Sequence, residues 1–250
     1  MSQKRIVQSL QGFLDEDGLV IPNSAVIMKG NFKRELAKYF LASLKRGQKI
    51  LDLNPGLHGI YDELDLSQIA YVALEQNSRI RSFLEERHIA VLNWKIPKVP
   101  LENNSVDFVL SAAFLEHLPT YVDALNVLLE MRRVLTSEGR ILVIVPNYLR
   151  IKDFFFEDYK HGWVTTRKRV IDMLNDCHFE IIGSRYTLGW ITMRTNLLVS
   201  FLRLFLSFSL ALLRINFVDR ILETFKLERL SYRFQKTFFE LVAIEARVKK

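Results

Sequence analysis

The chain has 250 residues, 49% of them hydrophobic and 25% charged, with a formal charge of +7 at neutral pH. That much apolar content excludes a disordered polyelectrolyte and suits one α/β domain with room for an insertion. A single cysteine, Cys177, excludes a disulfide framework and a cysteine-rich metal site and suits a reducing, cytoplasmic setting; the histidines at 58, 88, 117, 161 and 178 have no metal-ligand spacing on one helix, so no metal centre is expected.

Residues 1–28 read as an N-terminal appendage with a turn at Asp15-Glu16-Asp17-Gly18, and no apolar run follows Lys4 and Arg5, so no signal peptide is expected. Asn31 is a candidate N-cap for a helix over 32–44, where Leu36, Tyr39, Phe40 and Leu44 share one face. Residues 50–53 form a buried strand that runs into Asn54-Pro55-Gly56-Leu57-His58-Gly59. Proline cannot continue a ladder and glycine accepts positive φ, so the strand stops in a turn whose backbone N–H groups a ligand can approach. A second strand over 69–74 ends on Glu75. A carboxylate roughly 20 residues after such a turn either accepts the hydroxyls of a ribose or caps the helix that starts near Asn77.

That helix runs to about residue 87, and a strand over 89–92 ends at Asn93 and Trp94. A strand over 106–111, a helix over 121–135 and a strand over 140–145 follow. A loop rich in aromatics and charges leads to a helix over 165–175, a strand over 179–184 and a final strand over 237–246. Strands alternating with helices of this length imply a parallel, doubly wound sheet.

The turn and Glu75 suit a dinucleotide or S-adenosylmethionine. The blocks Pro100 to Val106-Asp107, then Glu116-His117-Leu118, Arg133-Val134-Leu135 and Glu138-Gly139 separate the two. They resemble the class I S-adenosylmethionine-dependent methyltransferases, in particular the small-molecule branch, over residues 32–182. Val106-Asp107 stands for that family's Phe-Asp and Glu138-Gly139 for its Gly-Gly. In the glycine turn, Asn54 and His58 occupy the first and third glycine positions; asparagine tolerates the left-handed conformation, and His58 adds bulk where the cofactor passes unless Gly59 takes over by a one-residue shift.

The resemblance implies a Rossmann-like, doubly wound seven-stranded sheet with an antiparallel last strand, in a methyltransferase domain over 29–250 with a helical insertion at 187–236. It implies S-adenosylmethionine as cofactor, with Asp52, Asn54, Gly56, Gly59 and the turn backbone at the methionyl end. Glu75 would hold the ribose, with Gln76 beside it in the same set. Asn93 or Trp94 would lie at the adenine, or both belong to a surface loop. Ser111 and Ala112 would flank the sulfonium, and Glu116-His117 would be architectural. Asp158 and His161 stand at the spacing of an acidic-x-x-His element that folds over the family's reaction centre. His161 is thus either a general base or a packed lid residue.

Residues 185–236 hold nine basic against three acidic residues, a net of +6. Asn196, Ser200, Arg203, Ser207 and Arg214 form a narrow polar stripe on an otherwise apolar helix pattern. With Arg203 inside it, this segment is a poor membrane span; it would lie in a membrane interface over 196–234 or cap the mouth of the site. The expected activity is methyl transfer to a small-molecule, lipid-linked or glycan acceptor, in the cytoplasm or at a membrane surface. An inactive methyltransferase-like scaffold is the alternative. A nucleic-acid methyltransferase comes third, because no separate basic module and no Asn/Asp-Pro-Pro-aromatic motif is present, and no nucleic-acid partner is expected.

Overall fold

A computed structural model describes residues 36, 44–151, 155–156, 160–188 and 240–249. The N-terminal appendage, Asp158, most of the helix expected over 32–44 and all but the first two residues of the 187–236 segment lie outside them. Leu36 is helical and wholly buried.

Seven strands form one sheet: β1 (Lys49–Leu53), β2 (Ala70–Glu75), β3 (Ala90–Asn93), β4 (Val106–Ala112), β5 (Leu135–Pro146), β6 (Phe179–Leu188) and β7 (Glu240–Val248). Their order is β3-β2-β1-β4-β5-β7-β6. β1 to β5 run parallel, and β7 runs antiparallel between β5 and β6. This is the expected Rossmann-like α/β sheet with its antiparallel last strand.

The central strands are apolar on both faces because both are covered. Along β5, Ile141, Val143 and Val145 join one core cluster, and Leu142 and Ile144 join the other. The period of two in β-structure produces this division. The first cluster takes in helix α2 (Tyr121–Val134), whose Ala124, Val127, Leu128, Met131 and Val134 recur at helical spacing. Thr120 and Asp123 close that helix's N-terminus as a reciprocal capping box. Helix α1 (Ser78–Glu86) places Leu84 in the second cluster. The short helix α3 (Tyr148–Ile151) follows β5, and helix α4 (Arg167–Asp176) packs Val170 and Leu174 into the first cluster. Cys177 is buried, and burial pushes its thiol up to about 11, which suits a structural cysteine.

Two boundaries differ by four residues or more from the sequence expectation. β5 begins at Leu135, where it pairs with Val106, and its ladder slips before Phe108 pairs with Arg140. Gly139 permits this slip, since a Cβ there would stand 2.8 Å from Leu135 Cδ2 and 2.9 Å from the Thr136 carbonyl. β6 continues to Leu188 because its ladder with β7 continues, Leu188 pairing with Glu240.

Two of the family-signature residues work at the end of the sheet where β1 and β4 begin. Asp107 accepts the Lys49 backbone N–H at 2.8 Å, tying β4 to the start of β1. Arg133 donates to the carbonyls of Val99 and Leu101 at 2.9 and 2.8 Å, to Asn103 at 2.8 Å and to both oxygens of Glu130. Glu130 in turn accepts the Val99 N–H at 2.9 Å. The Arg133 hydrogen bond, aided by that N–H, holds the Glu130 carboxyl below its ordinary 4.5. Glu130→Gln is therefore expected to lower stability by about 1–3 kcal/mol at pH 7. A carboxylate depressed in the folded state stabilises above its unfolded pKa, so the gap between variant and wild type narrows as pH falls below 4.5. Urea denaturation at pH 7 and in mild acid checks both the loss and its sign.

Candidate active site

At the opposite end of the sheet, the carboxyl ends of the parallel strands form one edge. Leu53 pairs with Leu74 on one side and Ser111 on the other, Glu75 pairs with Asn93, and Ala112 pairs with Ile144. After β1 the chain turns outward to β2, whereas after β4 it proceeds to β5 on the other side. A crevice between diverging connections is where ligands bind in open α/β sheets.

The turn after β1 takes up the left-handed conformation at Asn54 (φ 55°) and Gly56 (φ 63°). Asn54 is thus an asparagine standing where positive φ is required. Nothing stands within 4 Å of where a Gly56 Cβ would be. Gly59 is required for a different reason: its φ of −71° is ordinary, but a Cβ would meet the Tyr61 ring at 2.2 Å and Pro55 Cβ at 3.0 Å.

Tyr61 and Tyr71 were not singled out from the sequence, yet they support the turn from below. Their rings meet edge to face at 5.8 Å, and the Tyr61 hydroxyl donates to the Gly56 carbonyl at 3.4 Å. The Tyr71 hydroxyl donates to Asp52 Oδ2 at 2.6 Å, and both residues are buried. Burial first, and the Asp52 charge second, push the Tyr71 phenol well above its ordinary value, so it stays protonated as the donor. Burial followed by the Asp62 charge also raises Tyr61. The only sequence signal for Tyr71 is its place on the face of β2 opposite Val72 and Leu74.

Glu75 ends β2 wholly buried. Its Oε1 accepts the Asn77 backbone N–H at 2.9 Å. The Asn54 side-chain nitrogen, with the carboxamide turned to donate, lies 2.9 and 3.0 Å from the two carboxylate oxygens. Asn54 therefore both forms the turn and orients Glu75. The N-cap of α1 is Asn77, whose side chain accepts from Arg79 N and Ile80 N, and Glu75 supports that cap by holding the Asn77 backbone N–H. Gln76 is exposed, and its carbonyl accepts from Arg81.

Asn93 is exposed at the end of β3, while Trp94 is buried against Phe114 with ring centroids 5.1 Å apart. Trp94 therefore contributes to the floor of the edge and offers no open face for stacking. Its Nε1, and the Oγ of the buried Ser111, find no hydrogen-bond partner among the described residues. The Ser111 hydroxyl, at the end of β4, fits a polar ligand group arriving at this edge. Ala112 beside it is half-buried.

Two loops meet farther along. The 3₁₀ turn Leu115–His117 after β4 is gripped by the stretch from His161 to Trp163: Gly162 N donates to the Glu116 carbonyl at 2.8 Å and Trp163 Nε1 to the Leu115 carbonyl at 2.7 Å. A Cβ on Gly162 would stand 2.1 Å from the Leu118 carbonyl oxygen, so only glycine permits this approach. The His161 ring lies 4.8 Å from that of His117 and 4.3 Å from that of Phe155, and its Nδ1 donates to the Phe155 carbonyl at 2.6 Å. Glu116, His117 and His161 offer ligand atoms all within 4.8 Å of one another. No residue spacing announced this set, because it depends on two loops meeting through backbone contacts.

Residues 51–143 match the family model of the methyltransferase domain. The uncharacterized protein MJ0638 of Methanocaldococcus jannaschii is 31% identical over 155 residues, a match spanning 62% of this chain and 60% of that relative. Among solved structures, a SAM-dependent methyltransferase of Methanosarcina mazei superimposes with a TM-score of 0.59 at 15% identity, covering 84% of this chain and 97% of its own. One from Archaeoglobus fulgidus gives 0.55 at 16% identity, covering 89% and 98%. A candidate methyltransferase of Haloferax volcanii, in complex with the Trm112 methyltransferase activator, gives 0.59 at 13% identity, covering 91% and 96%. Over residues 51–143 the chain thus matches the methyltransferase domain, and its sheet has the fold of the solved SAM-dependent methyltransferases.

The Tyr71–Asp52 contact makes a direct prediction for the site's floor. Tyr71→Phe keeps the ring but deprives a buried carboxylate of a short donor. The variant is expected to lose about 1–3 kcal/mol of stability, measured by urea denaturation at neutral pH.

Proposed function

We propose that this chain transfers the methyl group of S-adenosylmethionine to a small-molecule, lipid-linked or glycan acceptor. The observation that carries this reading is Glu75, a buried carboxylate oriented by Asn54 and Asn77 beside a turn with open space over Gly56. The cofactor would supply an electrophilic methyl carbon on a positively charged sulfur, so the protein's task is orientation and exclusion of water. The turn over 54–59 would present backbone N–H groups to the methionyl end, with Asp52 and Tyr71 fixing the floor beneath it. Glu75 would accept the ribose hydroxyls; in a buried setting those hydrogen bonds gain strength. Asn93 would lie at the adenine, with Gln76 at the rim, and Ser111 and Ala112 would flank the sulfur. The loop cluster containing His161 would handle the acceptor's proton.

Glu75→Gln keeps the shape and removes the charge. Charge-assisted hydrogen bonds are worth about 1.5–3 kcal/mol, so cofactor affinity is expected to fall more than tenfold. Calorimetry with S-adenosylmethionine measures this; unchanged affinity in a folded variant removes Glu75 from the site. Wild-type protein that binds no cofactor would instead support the scaffold alternative.

The acceptor side is the province of residues 189–239. β6 ends and β7 begins at the candidate site's edge, Leu188 pairing with Glu240 and Pro146 with Leu241, so the segment between them is anchored at that edge. Its Leu- and Phe-rich sequence and basic excess suit an anionic, lipid-bearing surface. No helix among the described residues is long and apolar enough to cross a membrane. Wild-type protein is expected to co-sediment with anionic vesicles at low salt and less at high salt, and Phe201→Asp with Phe205→Asp to weaken this. Protein that stays in the supernatant assigns the segment to packing or to a soluble acceptor.

A further inference from the structure

We infer that Glu116, His117 and His161 form a binding site for one divalent transition-metal ion, built where the two loops meet beyond β4. The donor set is one carboxylate and two imidazoles, and their ligand atoms lie within 4.8 Å of one another. In a tetrahedral zinc-type site the ligands stand about 2.0–2.2 Å from the ion, so neighbouring ligand atoms are about 3.4 Å apart. An ion would draw the three ligand atoms inward to that spacing. Nitrogen and carboxylate donors without thiolate suit zinc, iron, cobalt or manganese, and three protein ligands leave positions open for another molecule.

Three further features favour an ion over a chance cluster. His161 Nδ1 donates to the Phe155 carbonyl at 2.6 Å, so in the neutral ring Nε2 would be the nitrogen offered to an ion. That backbone support behind a metal-binding imidazole is the usual arrangement in metal sites. The Glu116 carboxylate is buried at 1% exposure, while both histidines are half-buried, so the set has a dry base and an approachable side. The loops are also locked together independently of any ion, through Gly162 N to the Glu116 carbonyl, Trp163 Nε1 to the Leu115 carbonyl, and the close fit of Gly162 against Leu118. A pre-formed frame spares the ion the cost of ordering its own ligands.

The use of the ion rests on the methyl-transfer reading; the site itself does not. In that reading His161 is a ligand and not a free base. An acceptor hydroxyl takes an open position on the ion, which lowers the hydroxyl's pKa, and its proton passes to solvent. The oxygen then forms a bond to the methyl carbon as the carbon–sulfur bond breaks, and that bond's electron pair stays on sulfur.

The test uses the full-length protein, stripped with a chelator and titrated with Co²⁺ in the absence of S-adenosylmethionine. One Co²⁺ per chain with visible ligand-field absorption is expected. His117→Ala and His161→Ala should each weaken binding about tenfold or more and alter the absorption. Glu116→Gln should do the same, and its thermal melt reports whether the buried substitution still folds. His88→Asn and His178→Asn, exposed histidines at positive φ where asparagine is tolerated, should leave binding unchanged. Absence of saturable binding by the wild type, or binding that survives both His117→Ala and His161→Ala, overturns the inference. Calorimetry with S-adenosylmethionine on the same preparations separates the two proposals: Glu75→Gln should lose cofactor and keep Co²⁺, and His161→Ala should do the reverse. Wild-type protein that binds Co²⁺ but no cofactor upholds the metal site and sinks methyl transfer. Cofactor binding without Co²⁺ sinks the metal site alone.

Discussion

The divergence of the chain after β1 and β4 is the constraint on which the rest of the molecule depends. Because the two neighbouring strands hand the chain to opposite sides of the sheet, neither of the connections that leave β1 and β4 crosses the gap between their carboxyl ends. A parallel sheet covered on both faces has few other places to admit a ligand. The polar groups that the fold buries on this edge, Asp52, Glu75, Ser111 and Glu116, would each cost stability in the middle of the sheet. Their concentration here reflects a division of labour along the strands, with apolar burial in the centre and polar function at one rim.

The family signature divides in the same way. Asp107 and Arg133 act at the rim where β1 and β4 begin, fastening strand and loop backbone. Glu116 lies at the other, beside Asn54 and Glu75, which stand outside that signature. A motif read as a single string therefore mixes residues that hold the sheet together with residues that face the crevice, and only the register separates them.

Much of this was legible beforehand. The sheet and its antiparallel last strand followed from apolar runs, turn residues and family blocks. The left-handed Asn54 followed from the steric tolerance of asparagine. The Asn54–Glu75 hydrogen bonds did not, since no local pattern encodes a side-chain contact between the tips of two strands. Tyr61 and Tyr71 escaped notice because a phenol in a strand looks like any β-favouring aromatic until its hydroxyl finds Asp52. For Trp94 the sequence allows a place at the adenine or in a surface loop, and neither reading shows its burial against Phe114, which belongs to a distant loop. The meeting of His161 with Glu116 and His117 was invisible for the same reason: the docking is written in backbone hydrogen bonds and in a glycine's missing Cβ. Loop-to-loop contacts carry no periodicity, and periodicity is what sequence reading detects best.

The Leu188–Glu240 pairing has a consequence for how such a chain diversifies. Strands β6 and β7 form a two-stranded stem that closes at Leu188 and Glu240, so the two ends of the chain between them are held side by side. Closing a longer or shorter loop on a fixed stem changes the entropy only logarithmically, about 0.6 kcal/mol for each doubling. The stretch can therefore be resized, replaced or re-sequenced while the ladder beneath it and the buried carboxylates of the crevice stay where they are. The antiparallel seventh strand thus works as a mounting point, whose ladder does not depend on the length of what joins it to β6.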